Sequence, residues 1–311
     1  MARTEVDLTC ELAGLHMRNP LILASGVLGT SAALLERVGQ CGAGGVTAKS
    51  CGLEARAGHP NPIAVEWAGG VINAVGLTNP GLEAEIPTLI EARERMHAQG
   101  IPLIASIFAP TVADFGRMTA GINAAEPDLI EVNISCPNVG DEFGTPFSGS
   151  VESAADVTRA VRANTDISIA IKLSPNVPNI ARIALAAQEA GADAITAINT
   201  VPGMLIDPFA GRPVLSNKVG GVSGWSIKPV ALRCVAEISR AVRVPVIGLG
   251  GVSNGLDAAE MIMAGATAVG VGSAVWQRGV DVFKTIAEEL REFMAQEGYP
   301  DLESMRGIAI R

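Results

Sequence analysis

Cys136 lies in the hexapeptide Asn133–Asn138, NISCPN, where an apolar run of Leu129, Ile130, Val132 and Ile134 meets a cysteine followed at once by proline. Proline donates no hydrogen bond to a strand ladder and fixes its own φ, so the chain is expected to leave a sheet here and carry Cys136 into a loop. A thiol at the C-terminal end of a barrel strand can act as a base or nucleophile, whereas one in mid-strand is usually a small core residue. Asn133 and Asn138 flank it, and an amide can both donate to and accept from a planar polar substrate. Further amides and hydroxyls recur in NAVGLTNPG (Asn73, Ala74, Val75, Gly76, Leu77 and Asn79) and at Asn199-Thr200. A single asparagine at a strand end is ordinarily a turn or cap residue. Several such segments on one face can read a small heterocycle bearing amide and carboxylate groups.

Lys49 ends one predicted strand and Lys172 sits within another, beside Leu173. Lysine is almost never buried without a partner, so a lysine facing a barrel mouth implies an anion there. The alternative is a lysine whose stem is buried and whose amine reaches the rim. Glycines supply a third element: Gly220-Gly221-Val222-Ser223-Gly224, Gly250-Gly251 and Gly272-Ser273 each follow or precede a periodic segment. Backbone N–H groups at such turns form phosphate sites, which barrels often place after strands seven and eight, although tight turns alone would also use glycine. No GxGxxG fingerprint is present, so direct NAD binding by this chain is not expected.

These residues need a frame. Short segments that are apolar on both faces occur at Leu21–Ala24, Gly45–Ala48, Leu103–Ile107, Leu129–Asn133, Ile169–Leu173, Ala194–Ile198, Val246–Leu249 and Ala268–Val271. Such runs suit parallel strands covered by helices. Amphipathic helical patterns lie between them, for example at 81–99, 150–164, 178–190, 227–242, 254–264 and about 280–297. Eight strand–helix units without a composition break predict a single (β/α)8 TIM barrel over 1–311, with a doubly wound open sheet as the alternative. Residues 4–17 read as a short N-terminal β-hairpin around Ala13-Gly14, placed to plug one end. The long connections 50–80, 134–149 and 199–226 all fall on the C-terminal face, where barrel sites are built.

Composition narrows the function. The chain has 311 residues, 48% hydrophobic and 18% charged, enough for one sizeable core. A net charge of −9 without a Lys/Arg cluster argues against nucleic acid and anionic membranes as partners. Five cysteines without a CxxC pair argue against a disulfide framework or a cysteine-ligated cluster, and point to a reducing cytoplasmic setting. The N-terminal segment has no apolar core of a secretory signal, and no run of about 18 apolar residues predicts a membrane span.

Six ordered motifs, NAVGLTNPG, NISCPNV, NTVPGMLID, GGVSGWSIKPVAL, VIGLGGV and GVGSA, resemble those of dihydroorotate dehydrogenase along nearly the whole chain. The NAD-linked branch (class 1B, catalytic subunit) is the most similar. The membrane-bound branch uses a serine base and an N-terminal helix, and the fumarate-using branch reads NSMGLPN where this chain has NAVGLTNPG. The resemblance implies an FMN barrel that oxidises (S)-dihydroorotate to orotate in pyrimidine biosynthesis. Cys136 would be the general base, taking the C5 proton while a hydride leaves C6 for the flavin. Lys49, the Asn73–Leu77 loop, Asn133 and Asn199-Thr200 would hold the substrate. Ser25, Lys49, Ser50, Ser106, Asn133, Lys172, Ile198, Gly224, Gly250, Gly251, Gly272 and Ser273 would hold FMN, with Lys172 stabilising the reduced flavin.

It also implies a partner subunit carrying FAD and a [2Fe-2S] cluster, in a heterotetramer of two catalytic and two electron-transfer subunits. This chain departs from the family pattern at Ser106, usually asparagine, at Pro202, usually glutamine, and in the shorter segment 139–149. Competing expectations are a dihydropyrimidine dehydrogenase-like barrel acting on uracil or thymine, a Schiff-base aldolase using Lys172 or Lys49, and a barrel that only binds a phosphorylated ligand. The tRNA dihydrouridine synthases are disfavoured by the acidic charge.

Overall fold

The computed structural model describes residues 6–134 and 147–311. Eight parallel strands, β1 Leu21–Leu23, β2 Gly45–Thr47, β3 Leu103–Ile107, β4 Leu129–Asn133, β5 Ile169–Leu173, β6 Ala194–Ala197, β7 Val246–Leu249 and β8 Ala268–Val271, form a closed barrel in chain order. β8 pairs with β1 through Val269 opposite Leu21 and Val271 opposite Leu23, so no barrel edge is left open. The chain is therefore a (β/α)8 barrel, and the open-sheet alternative is excluded. Nearly every strand residue is buried, as parallel strands sheathed by helices require.

Among the described residues the helices of six residues or more are α1 Ala32–Gln40, α2 Leu82–His97, α3 Val112–Ile122, α4 Val151–Arg162, α5 Ile180–Glu189, α6 Lys228–Ala241, α7 Gly255–Met263, α8 Ser273–Arg278 and α9 Val282–Glu297. Ser31, Thr111, Ser150, Asn179 and Asn254 each cap a helix by accepting a hydrogen bond from the backbone N–H three residues on. Each cap satisfies an N–H the helix cannot, and fixes where the preceding loop must end. The loops of the C-terminal face are thereby anchored at their far ends.

The predicted hairpin is Cys10–Leu12 paired with Leu15–Met17. Ala13 and Gly14 both have positive φ, as a two-residue hairpin turn requires. Leu12 and Met17 are fully buried, and Ser168, just before β5, donates from Oγ to the Ala13 carbonyl at 3.0 Å. The hairpin thus closes the N-terminal end.

The opposite end differs from the expectation of plain loops. The stretches 50–80 and 199–226 contribute a four-stranded antiparallel sheet, in the order Val201–Gly203, Gly220–Ser223, Gly70–Asn73, Ala64–Trp67. This roof stands over the barrel mouth and joins the connection after β2 to the connection after β6. Cys136, Asn138 and the 139–146 stretch lie outside the described residues. Among the described residues no helix is long and apolar enough to cross a membrane.

Candidate active site

Inside the barrel, the two-residue period of the strands stacks inward side chains in layers. Ser106 on β3 and Glu131 on β4 are register partners, and one layer nearer the mouth Asn133 on β4 is opposite Lys172 on β5. Glu131 and Lys172 are 5% and 4% exposed. Lys172 Nζ donates to Glu131 Oε1 at 3.1 Å and to Ser25 Oγ at 2.8 Å. Ser25 Oγ donates to the same Glu131 oxygen at 2.9 Å, and Ser106 Oγ does so at 3.2 Å. Ser50 and Ser106 share a hydroxyl–hydroxyl bond of 2.8 Å. The anion that Lys172 demands is thus supplied by the protein itself. Sequence reasoning assigned that anion to a ligand and passed over Glu131, although a glutamate inside an apolar strand is itself a signal of a buried pair.

Above this network lies a cavity of about 260 Å³. Its walls bring together Ser25, Lys49, Ser50, Asn73, Val75, Gly76, Leu77, Asn133, Lys172, Ile198, Asn199, Thr200, Gly224, Gly250, Gly251, Gly272 and Ser273. Of the described candidates, Ala74 and Ser106 do not line it. Ala74 is fully buried in the small cluster with Ile72 and Leu215, on the face of the roof turned away from the cavity. Ser106, 2% exposed, is committed to Ser50 and Glu131. Val71, Ser223, Leu249, Val252 and Trp276 also line the cavity and were not foreseen. Val71 and Ser223 get there through the roof sheet.

Part of the cavity wall is a glycine cradle. At Gly251 (φ +78) a Cβ would sit 2.7 Å from Lys228 Cβ and 2.9 Å from the Gly224 carbonyl oxygen; at Gly224 (φ +102) it would sit 2.8 Å from Gly70 Cα. Only bare backbone fits there, in a conformation L side chains avoid. Lys228 fastens the two loops, donating to Asp257 Oδ1 at 2.6 Å and pairing with Glu260 at 2.8 Å. Asp257 Oδ2 in turn accepts from the backbone N–H and the hydroxyl of Ser253. Burial alone would raise the Asp257 carboxyl, but the Lys228 and Ser253 hydrogen bonds hold it below the usual carboxylate range. Such a pocket suits a phosphate group.

Another part of the wall is amide-rich. Asn199 Nδ2 donates to Asn133 Oδ1 at 3.3 Å, and Asn199 Oδ1 accepts from Thr200 N at 2.8 Å. Asn73 is held in the roof opposite Gly221. Asn79, by contrast, is fully used inside its own loop, accepting from Gly52 N and Gly81 N and donating to the Leu77 carbonyl. Lys49 reaches the cavity from the end of β2. The four described thiols, Cys10, Cys41, Cys51 and Cys234, all have raised pKa values, foremost through burial, and Cys10 and Cys51 are pushed up to about 12. None of these four is suited to act as a thiolate.

Near Lys49, Glu85 on α2 is buried and its Oε1 has no hydrogen-bond partner among the described residues. Burial pushes its carboxyl up to about 7, with the Lys49 charge opposing. A carboxyl raised on folding stabilises fully below its unfolded pKa of about 4.5 and loses that contribution as pH rises through about 7. Glu85→Gln is therefore expected to raise the melting temperature at pH 8 by at least ~2 °C and to leave it nearly unchanged at pH 4.5. Thermal melts at the two pH values check this; equal shifts at both would exclude titration of Glu85.

The sequence matches the dihydroorotate dehydrogenase family over residues 7–294. The chain belongs to that family. It is 45% identical, over 96% of this chain and 94% of the relative, to a Methanosarcina mazei protein named dihydroorotate dehydrogenase B (NAD(+)), catalytic subunit. Proteins of the same name from Pyrococcus abyssi (42% identical, 98% of this chain, 99% of the relative) and Methanothermobacter thermautotrophicus (43%, 97% and 98%) are similar over the same span. Dihydroorotate dehydrogenases are flavin-dependent oxidoreductases, and the relatives' name speaks of a catalytic subunit, which implies a separate partner in those proteins.

Proposed function

We propose that this chain is the catalytic subunit of an NAD-linked dihydroorotate dehydrogenase, binding one FMN and oxidising (S)-dihydroorotate to orotate. The observation that carries this reading is the set of groups brought together in the cavity wall. A glycine cradle, a set of amides with Lys49, and Lys172 together line one cavity. Gly224, Gly250, Gly251, Gly272 and Ser273 would hold the cofactor phosphate through backbone N–H groups, and Ser25, Ser50, Asn133, Lys172 and Ile198 would hold its ring system. Bound FMN supplies the acceptor for the hydride from C6 of the substrate.

The chain's own residues do the rest. Lys49 binds the substrate carboxylate as a point charge. Asn73, Asn133, Asn199 and Thr200 match the ring's amide donors and acceptors, which fixes the C5 proton toward one side. Cys136 takes that proton. The roof sheet covers the mouth and excludes water, strengthening each of these polar contacts. Trp67, Trp225 and Trp276 lie exposed on the roof and the mouth rim, Trp225 and Trp276 at 58% and 57%, and Trp276 also lines the cavity. An apolar patch at that place suits a docked electron-transfer subunit carrying FAD and a [2Fe-2S] cluster, in a heterotetramer with two copies of each chain.

The test is an anaerobic titration of the FMN-loaded chain with dihydroorotate, followed by its visible spectrum. Bleaching of the flavin band by dihydroorotate, and not by dihydrouracil, is expected. Bleaching by dihydrouracil alone would move the substrate to the uracil class, and a chain that cannot take up FMN would overturn the flavoenzyme reading.

A further inference from the structure

We propose that Glu131 sets the charge that Lys172 presents to the bound cofactor, and thereby the cofactor's preference for its reduced over its oxidised form. The proposal rests on the FMN reading above. Glu131 does not line the cavity, so it acts through Lys172 and is a positioning residue.

The hydrogen-bond geometry gives it that role. A hydroxyl has one proton and two acceptor lone pairs. Ser106 spends its proton on Glu131 Oε1, so in the 2.8 Å contact with Ser50 it must accept, and Ser50 must donate. Ser25 likewise gives its proton to Glu131 and accepts from Lys172 Nζ. One carboxylate oxygen therefore orders three serines across the strand ends of β1, β2 and β3. Ser25 and Ser50, which do line the cavity, are left with only acceptor capacity toward a ligand. Lys172 is the donor between them, and its positive charge is compensated by the carboxylate 3.1 Å away.

In a site this dry, a compensated lysine and a bare one differ greatly in how well they hold added negative charge. Reduction adds electron density to the cofactor, so Glu131 tempers the bias that Lys172 alone would impose. Ser106 is accounted for in the same terms: its hydroxyl serves Glu131, not the cavity.

The experiment measures the dissociation constants of oxidised and reduced FMN, or the reduction potential by dye equilibration, for the wild type and Glu131→Gln. The variant keeps an acceptor oxygen and removes the charge. The expected result is an increase of about tenfold in the ratio of reduced to oxidised affinity, equal to a rise of about 30 mV for a two-electron couple. A purely structural role would weaken both affinities together, so an unchanged or lowered ratio overturns the proposal. If Glu131→Gln does not fold, Glu131→Asp retracts the carboxylate by one methylene, and the ratio is expected to rise about threefold; no rise sinks the idea. A wild-type chain that binds no FMN at all would instead overturn the flavin reading on which this rests.

Discussion

Replacing Cys136 by serine is expected to lower the rate of dihydroorotate oxidation at pH 7 by about 10²–10⁴-fold, the range a positioned general base supplies. The residue closes the NISCP motif directly after β4, three positions beyond Asn133, whose side chain lines the cavity and contacts Asn199. A hydroxyl is a far weaker base than a thiolate, so the substitution removes basicity and leaves size nearly unchanged. A free thiol titrates near 8.5. The wild-type rate should therefore rise with pH along a thiolate titration that the serine variant lacks. Stopped-flow reduction of the loaded enzyme between pH 6 and 10 reads both effects. Full turnover by the serine variant would show that Cys136 is not the base. The four described cysteines offer no substitute, because burial keeps each of them as a thiol.

Lys172→Met is the second large effect, and it concerns stability. The substitution leaves Glu131 buried in the barrel with two serine hydroxyls and no cation. Removing one partner of a buried pair typically costs about 3–5 kcal/mol, because the remaining charge has lost its compensation. For a chain of this size that is a fall in melting temperature of roughly 10 °C. The double substitution Lys172→Met with Glu131→Gln removes the stranded charge and should recover most of the loss. Melting curves of the cofactor-free single and double variants check it; a double variant no more stable than the single would show that the loss comes from packing and not from charge.

The barrel was legible because parallel strands covered on both faces must be apolar throughout, and the strand runs stand out between polar helical faces. Observed strand ends fall within one residue of the expected ones, as at Ala194–Ala197 against 194–198. Three helices, α1, α3 and the short α8, were not singled out, although Ser31 and Thr111 mark the starts of α1 and α3 as caps. The roof stayed hidden for a different reason. Its strands are three to four residues long and rich in glycine, and its central pairing joins Gly70–Asn73 to the distant Gly220–Ser223, so no local period announces it. Strand-end position pointed to Lys49, Lys172, Asn133, Asn199 and Thr200, and others that line the cavity, such as Ser25, Ser50 and Ile198, were named through the family resemblance. Glu131 was not legible, because its meaning depends on Lys172, which sits on the neighbouring strand 41 positions later.

The roof also bears on how the protein comes into being. It ties Asn73 to Gly221 across 148 positions of sequence. Closing so long a span is entropically unfavourable until the barrel wall beneath it already stands. The mouth is thus among the last parts to take shape as the chain leaves the ribosome. The cradle beside it is later still, since it needs Gly251, and the cavity wall is complete only at Trp276. A chain extended past Lys172 but short of Gly251 has both members of the Glu131–Lys172 pair without the full cavity wall above it. On the function proposed above, FMN would therefore find its whole site only in a chain that has reached Trp276.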